Sequence, residues 1–214
     1  PQTVSIQLIT TEEAYWASRP EVISTPLGNK LKLFKPNDEI FSMGAPRREP
    51  GRRANEAEKR IQLQRPFYFA ITETSNKEYR QWKSEHNSSS IRGLSLDLND
   101  QPVANIAWQD AALFCNWLSE KENLPKFYNV VGDRVTSINW DSNGYRLPTE
   151  SEWSWVAKLT KAGSTKVFPW NSPSYPPPFV SGNYADESAK SMLPFTISNS
   201  VSYTHLRAHE TPLY

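Results

Sequence analysis

The chain has 214 residues, with 24 Lys and Arg against 23 Asp and Glu, and a single cysteine. Its nearly balanced charge gives no electrostatic reason to expect a nucleic acid or an anionic membrane as partner. No apolar run approaches the roughly 20 residues of a membrane span, and one cysteine excludes an internal disulfide. Eight Trp and 17 Pro against eight Gly predict a loop-rich fold held together by aromatic packing.

The first part of the chain predicts a linker followed by short strands. Residues 1–28 end in a turn-like sequence and are interpreted as a linker or the tail of an upstream domain. Alternating or apolar segments then predict strands at 30–33, 61–64 and 67–71. The basic stretch between 47 and 60 is interleaved with Glu and lacks neighbouring aromatic platforms, so we expect a solvated surface of ion pairs there.

Two helices follow. Ser75 and Glu78 have the spacing of a capping box, which predicts a short helix with Tyr79 and Trp82 on one face. The next predicted helix covers residues 108–121. Its apolar stripe comprises Trp108, Ala111, Cys115 and Leu118.

Two features of that longer helix bear on its stability and its chemistry, namely the residue at its N-cap and its cysteine. Ala107 stands at the N-cap and has no hydroxyl, an absence that costs roughly 1 kcal/mol. Asp110 in the first turn offsets part of this cost through the helix dipole. Cys115 lies on the apolar stripe and is interpreted as a core residue rather than a nucleophile.

The following segment predicts strands and a hairpin. Residues 130–135 and 138–145 are interpreted as short strands, with the pair Asn143-Gly144 as a hairpin turn. Residues 172–178 hold four prolines and predict a stiff extended loop.

A third helix is predicted after Pro148. Thr149 and Glu152 again have capping-box spacing, and Trp153 begins an apolar stripe. Arg146 is expected to pair with a carboxylate beside the core. We further expect Asn76, Trp108, Arg146 and Trp153 to share one packed centre.

The segment 144–153, GYRLPTESEW, resembles the signature YRLPTEAEWE of the formylglycine-generating enzyme family, also called the sulfatase-modifying-factor family. Further matches keep the family's order from about residue 31 to about residue 190: F-x-M-G at 41–44, E-V-T-N-x-x-Y at 73–79, W-x-D-A at 108–111 and an asparagine-led metal loop at 182–186. On these motifs the chain is identified as a member of that family.

The resemblance implies an α+β fold of the kind that this family shares with C-type lectins, with short strands, few helices and much irregular chain. We assign it to residues 29–198, as an incomplete domain. Residues 199–214 resemble a translated sequencing-adapter read-through and are expected to be foreign. Within that tail, His205 and His209 have metal-ligand spacing but no third ligand, so we interpret their spacing as coincidence.

The family's ligands can be carried over only in part. Its oxidase chemistry rests on a copper-binding pair of cysteines near the end of the domain, and Cys115 matches neither. A structural calcium is implied at the Asn183 side chain and the Tyr184 carbonyl, as an incomplete site. Asp186 is equally well interpreted as a further ligand or as a solvated turn residue.

Three functions compete. We favour a non-catalytic binding or accessory domain of a larger bacterial protein, with a protein or peptide partner, an upstream domain and no catalytic residue in this chain. The alternative is the N-terminal part of a copper-dependent oxidase that converts a sulfatase cysteine to formylglycine. In that case copper is expected only if the parent protein has the cysteine pair. The third is a partner domain like those of the non-haem iron sulfoxide synthases, which requires a separate iron-binding helical domain.

Overall fold

The computed structural model describes residues 11–36, 40–48, 54–91 and 93–158. The chain divides into two units. The first comprises Pro1–Pro36, Arg65–Ile91 and Ser95–Arg146, and the second comprises Asn37–Gln64, 92–94 and Leu147–Tyr214. In chain order the described elements are α1 (Thr11–Ala17), β1 (Val22–Ser24), β2 (Lys30–Phe34), β3 (Ile40–Met43), β4 (Lys59–Gln62), β5 (Phe67–Ala70), α2 (Asn76–Tyr79), β6 (Ser90–Ile91), β7 (Leu94–Ser95), α3 (Trp108–Lys121), β8 (Tyr128–Val131), β9 (Arg134–Ile138) and α4 (Glu150–Lys158).

An antiparallel sheet of order β1-β2-β5 lies in the first unit. Leu33 stands opposite Tyr68 in the register of β2 and β5, and Val22 stands opposite Lys32 in that of β1 and β2. The predicted strands at 30–33 and 67–71 are therefore confirmed. Strand β1 precedes residue 29, where the sequence places the start of the domain, and that boundary stays a prediction.

The core of the first unit is aromatic. Tyr79, Phe114 and Leu118 are buried, with Tyr79 only 1% exposed. The half-buried side chains around them are Leu27, Trp82, Val103, Ile106, Trp117 and Tyr145. Tyr79 meets Trp82 edge to face at 5.4 Å between ring centroids, which confirms that these two residues share a face of the short helical segment.

Helix α3 has the predicted bounds, and two hydrogen bonds tie it to β8. The Asn116 side chain donates from Nδ2 to the Tyr128 carbonyl at 2.7 Å and accepts from the Tyr128 amide at 3.1 Å. The buried residues of α3 are Ala112, Phe114, Cys115, Asn116, Leu118 and Ser119. The predicted stripe is thus correct at Cys115 and Leu118.

The stripe is wrong at Trp108, which is 53% exposed. Trp108 is the first residue of α3 and lies one turn before Ala112, where the buried face begins. Its ring instead stands edge-on to the Tyr128 ring, with 5.7 Å between centroids. The expectation that Trp108 belongs to a packed centre is therefore wrong, whereas Asn76 is fully buried as expected.

The hairpin does not turn at Asn143-Gly144. It joins β8 to β9, with Tyr128 opposite Ile138, Val131 opposite Arg134 and a register shift after Asn129. Gly132 occupies the turn at φ +61°, a left-handed conformation that glycine adopts without strain. Residues 143–144 lie in irregular chain after the hairpin.

The second unit contains the antiparallel pair β3–β4, with Phe41 opposite Ile61. After β3, Gly44 has φ +89°, and a Cβ built there would lie 2.4 Å from the Ala57 carbonyl oxygen, so the chain requires glycine at this approach. Helix α4 belongs to the same unit, and its Ser151 hydroxyl lies 3.9 Å from the Met43 sulfur.

The capping box of α4 forms as predicted. The Glu152 carboxylate accepts from the Thr149 amide at 2.8 Å, and the Thr149 hydroxyl accepts from the Glu152 amide at 3.2 Å. The buried tryptophan of this helix is Trp155, 6% exposed, whereas Trp153 is only half-buried. The prediction that Trp153 leads the core-facing stripe is therefore wrong by two positions.

None of the helices described here is both long enough and apolar enough to pass through a membrane.

Candidate functional site

Cys115 is the chain's only cysteine, and it is a core residue, as predicted. Burial within α3 raises the pKa of its thiol to about 12, although the nearby Arg146 charge acts in the opposite direction. At neutral pH the group is therefore a protonated thiol. A nucleophile or a soft-metal ligand needs the thiolate, so Cys115 is suited to neither role as it is placed.

Arg146 and Tyr145 follow the irregular segment after the hairpin. The Arg146 guanidinium lies 5.5 Å from the centroid of the Phe127 ring, and the predicted carboxylate partner stays a prediction. The Tyr145 hydroxyl donates to Glu122 at 2.8 Å. Burial, and then this hydrogen bond to a carboxylate, raise the Tyr145 pKa. These contacts hold Tyr145 and Arg146 in place beside the end of α3. They assign neither residue a role in acid–base catalysis.

The structure brings together a histidine, a serine and an asparagine that the sequence did not connect. His86 Nε2 lies 3.2 Å from the Ser88 hydroxyl and 2.9 Å from the Ala104 carbonyl oxygen. Ser88 Oγ also contacts Asn76 Oδ1 and accepts from the Ala104 amide at 2.9 Å. The residue types are those of a nucleophile with its base.

The hydrogen-bond directions exclude Ser88 as a nucleophile with His86 as its base. Asn76 Oδ1 only accepts, so Ser88 donates its single proton there. The Ala104 carbonyl also only accepts, so His86 Nε2 must carry a hydrogen and cannot take one from Ser88. Ser88 is 1% exposed, which keeps any substrate away.

This cluster is a structural network. Asn76 donates from Nδ2 to the carbonyls of Leu96 and Leu98, both at 2.8 Å, and the Asp97 carboxylate accepts from the Ser88 amide at 2.6 Å. Arg80 pairs with Asp97. No sequence spacing signals this arrangement, because apart from His86 and Ser88, which are two positions apart, the partners lie 9 to 22 positions apart.

The exposed surface of the first unit holds a different feature. Trp108 and Trp140 are 53% and 57% exposed, whereas Phe127 and Tyr128 are each 4% exposed. Trp140 stands edge-on to Phe127 at 5.2 Å, Phe127 to Tyr128 at 5.0 Å and Tyr128 to Trp108 at 5.7 Å. We call Trp108 and Trp140 the exposed tryptophan pair.

The exposed tryptophan pair combines exposure to solvent with contacts to neighbouring buried rings. Trp108 is fixed at the first residue of α3, and Trp140 follows β9 in a turn in which the Ser142 amide donates to the Asn139 carbonyl at 3.2 Å. Each indole also rests against a buried ring. Rings held in this way lose little side-chain freedom on binding, so the pair can contribute contact area to a partner at low entropic cost.

Several predicted site residues lie outside the described part of the chain. They are Asn183 and Tyr184 of the calcium site, Asp186, His205 and His209, together with the proline-rich segment and residues 199–214. The calcium interpretation therefore stays a prediction. In the portions that the structure does describe, no three His, Cys, Asp or Glu side chains are grouped so as to hold a metal ion.

Comparison with known proteins identifies the family and the fold. The family model of the sulfatase-modifying factor enzyme 1-like domain matches residues 17–202. The mixed, loop-rich architecture of short strands and few helices agrees with the fold expected for that family, which confirms the predicted fold class.

Individual relatives match over part of their length. The chaperone protein LppX of Paenibacillus barcinonensis is 31% identical over 105 residues, a match that covers 42% of this chain and 35% of LppX. Treponema denticola variable protein 1 has a TM-score of 0.51 at 23% identity, over 66% of this chain and 58% of that one. The structure of CarF gives 0.44 at 22% identity, over 62% and 57%. The chain thus spans about a third of the curated relative and less than two thirds of either solved structure.

Proposed function

The chain belongs to the sulfatase-modifying factor enzyme 1-like family, and within this family we propose that it serves as a non-catalytic binding or accessory domain of a larger bacterial protein. The observation that carries the non-catalytic part is the burial of Cys115. The family's oxidase chemistry uses two thiolates on a soft metal, and the one thiol of this chain is enclosed in a helix face with its pKa raised to about 12.

A protein or peptide partner is favoured by the exposed tryptophan pair. Tryptophan is among the residues that most often dominate the binding energy of protein interfaces, and large side chains exposed by more than half are costly to leave in water. The relative LppX is named a chaperone protein, and this name favours an accessory role toward another protein.

The first experiment tests catalysis. The 214-residue chain is incubated with copper, oxygen and a sulfatase-derived cysteine peptide, and the peptide is followed by mass spectrometry, with an active formylglycine-generating enzyme as positive control. We expect no formylglycine. Conversion that disappears in Cys115→Ser would overturn the non-catalytic part of the proposal.

The second experiment tests the binding surface independently. A fluorescein-labelled, reduced and carboxymethylated polypeptide is titrated with the chain, and its anisotropy reports binding. Trp108→Ser and Trp140→Ser should each weaken binding by about tenfold, since loss of an interface anchor costs about 1–2 kcal/mol.

Ile91→Ser is the matched control, because Ile91 is another apolar side chain of the first unit, 56% exposed and outside the exposed tryptophan pair. Its affinity should equal that of the parent chain. Equal affinity in all three variants, or no binding by the parent chain, would reject this surface as the contact site for an unfolded polypeptide and would leave the catalytic result unaffected.

A further inference from the structure

No further inference is drawn: the strongest candidate, the exposed tryptophan pair Trp108 and Trp140 at the start of α3 and after β9, belongs to the site already described, and nothing in the described residues shows which specific partner covers it.

Discussion

Individual residues are constrained here by close backbone approaches as much as by turns. A Cβ on Gly144 would lie 2.0 Å from the Pro125 carbonyl oxygen and 2.7 Å from the Ser119 hydroxyl. The Ser119 hydroxyl accepts a hydrogen bond from the Tyr145 amide at 2.8 Å, and this hydrogen bond joins residues 144–145 to α3. Glycine at this position is therefore explained by space rather than by the hairpin that the Asn143-Gly144 pair suggested.

Gly144→Ala should destabilise the protein by about 2–3 kcal/mol or more, because the backbone of either segment must shift to admit the methyl group. Denaturant unfolding of the variant measures the loss. Gly132→Ala is the control, since Gly132 has open space around its Cβ position and pays only the strain of its positive φ, about 1–2 kcal/mol. A cost at Gly144 no greater than that at Gly132 would contradict the close approach.

At the scale of secondary-structure elements, the helix starts differ in how their first amides are satisfied. Helix α2 has a complete capping box, in which Ser75 and Glu78 exchange hydrogen bonds, and α4 has the equivalent pair at Thr149 and Glu152. Ala107 is the N-cap of α3, and its φ of −80° and ψ of 155° suit a cap, but its side chain makes no capping hydrogen bond. The geometry of a cap is present at α3 and only the acceptor is missing.

Ala107→Ser should stabilise the protein by about 0.5–1 kcal/mol, because the new hydroxyl can accept a hydrogen bond from a backbone amide in the first turn of α3. The change is measured as an increase in the free energy of unfolding in urea at a constant m-value. Ala107→Val serves as control and should bring no gain. Equal stability in the serine and valine variants would show that solvent already satisfies those amides.

Trp155→Ala should cost about 3–5 kcal/mol, as expected for removal of a buried aromatic side chain, whereas Trp153→Ala should cost less. The difference follows from burial, since Trp155 is 6% exposed and Trp153 only half-buried. Urea unfolding of both variants compares the two positions on the same helix. A larger loss at Trp153 than at Trp155 would show that the face assignment of α4 is incorrect.

Across the whole molecule, the sequence predicted what is decided locally and missed what is decided at a distance. The capping boxes and the bounds of α3 were correct, because each depends on residues within one or two turns. The exposure of Trp108 was missed, since periodicity does not tell where a helix stops being covered. The network around Asn76 was missed for a related reason, because Leu98 is 22 positions away in sequence.

Buried protonated groups should make the protein less stable in alkali. Burial raises the pKa of Cys115 from 9.0 and that of Tyr79 from 10.0, both to about 12. The folded state therefore holds these protons more tightly than the unfolded chain. Their contribution is complete below about pH 9 and is lost as pH rises toward 12, by up to about 1.4 kcal/mol per pH unit for each group.

The measurement is the free energy of unfolding between pH 8 and pH 11 for the parent chain, Cys115→Ala and Tyr79→Phe. The Cys115→Ala variant should show a shallower decline that begins nearer pH 10, because the raised pKa values of Tyr79 and Tyr145 still contribute there. The Tyr79→Phe variant should keep the earlier decline. Parallel curves for the parent and Cys115→Ala would show that the thiol of the folded protein titrates normally.

The burial of Asn76 also governs how this protein ages chemically. Asparagine deamidates when the next backbone nitrogen attacks its side-chain carbonyl, and the Lys77 amide is held by the Asn99 carbonyl at 3.0 Å. An aspartate at position 76 would place a carboxylate against the Leu96 and Leu98 carbonyls that the amide now satisfies. Asn143, by contrast, is exposed and precedes a glycine. Stored protein should therefore accumulate its first negative charge at Asn143, while Asn76 stays intact for as long as the fold does.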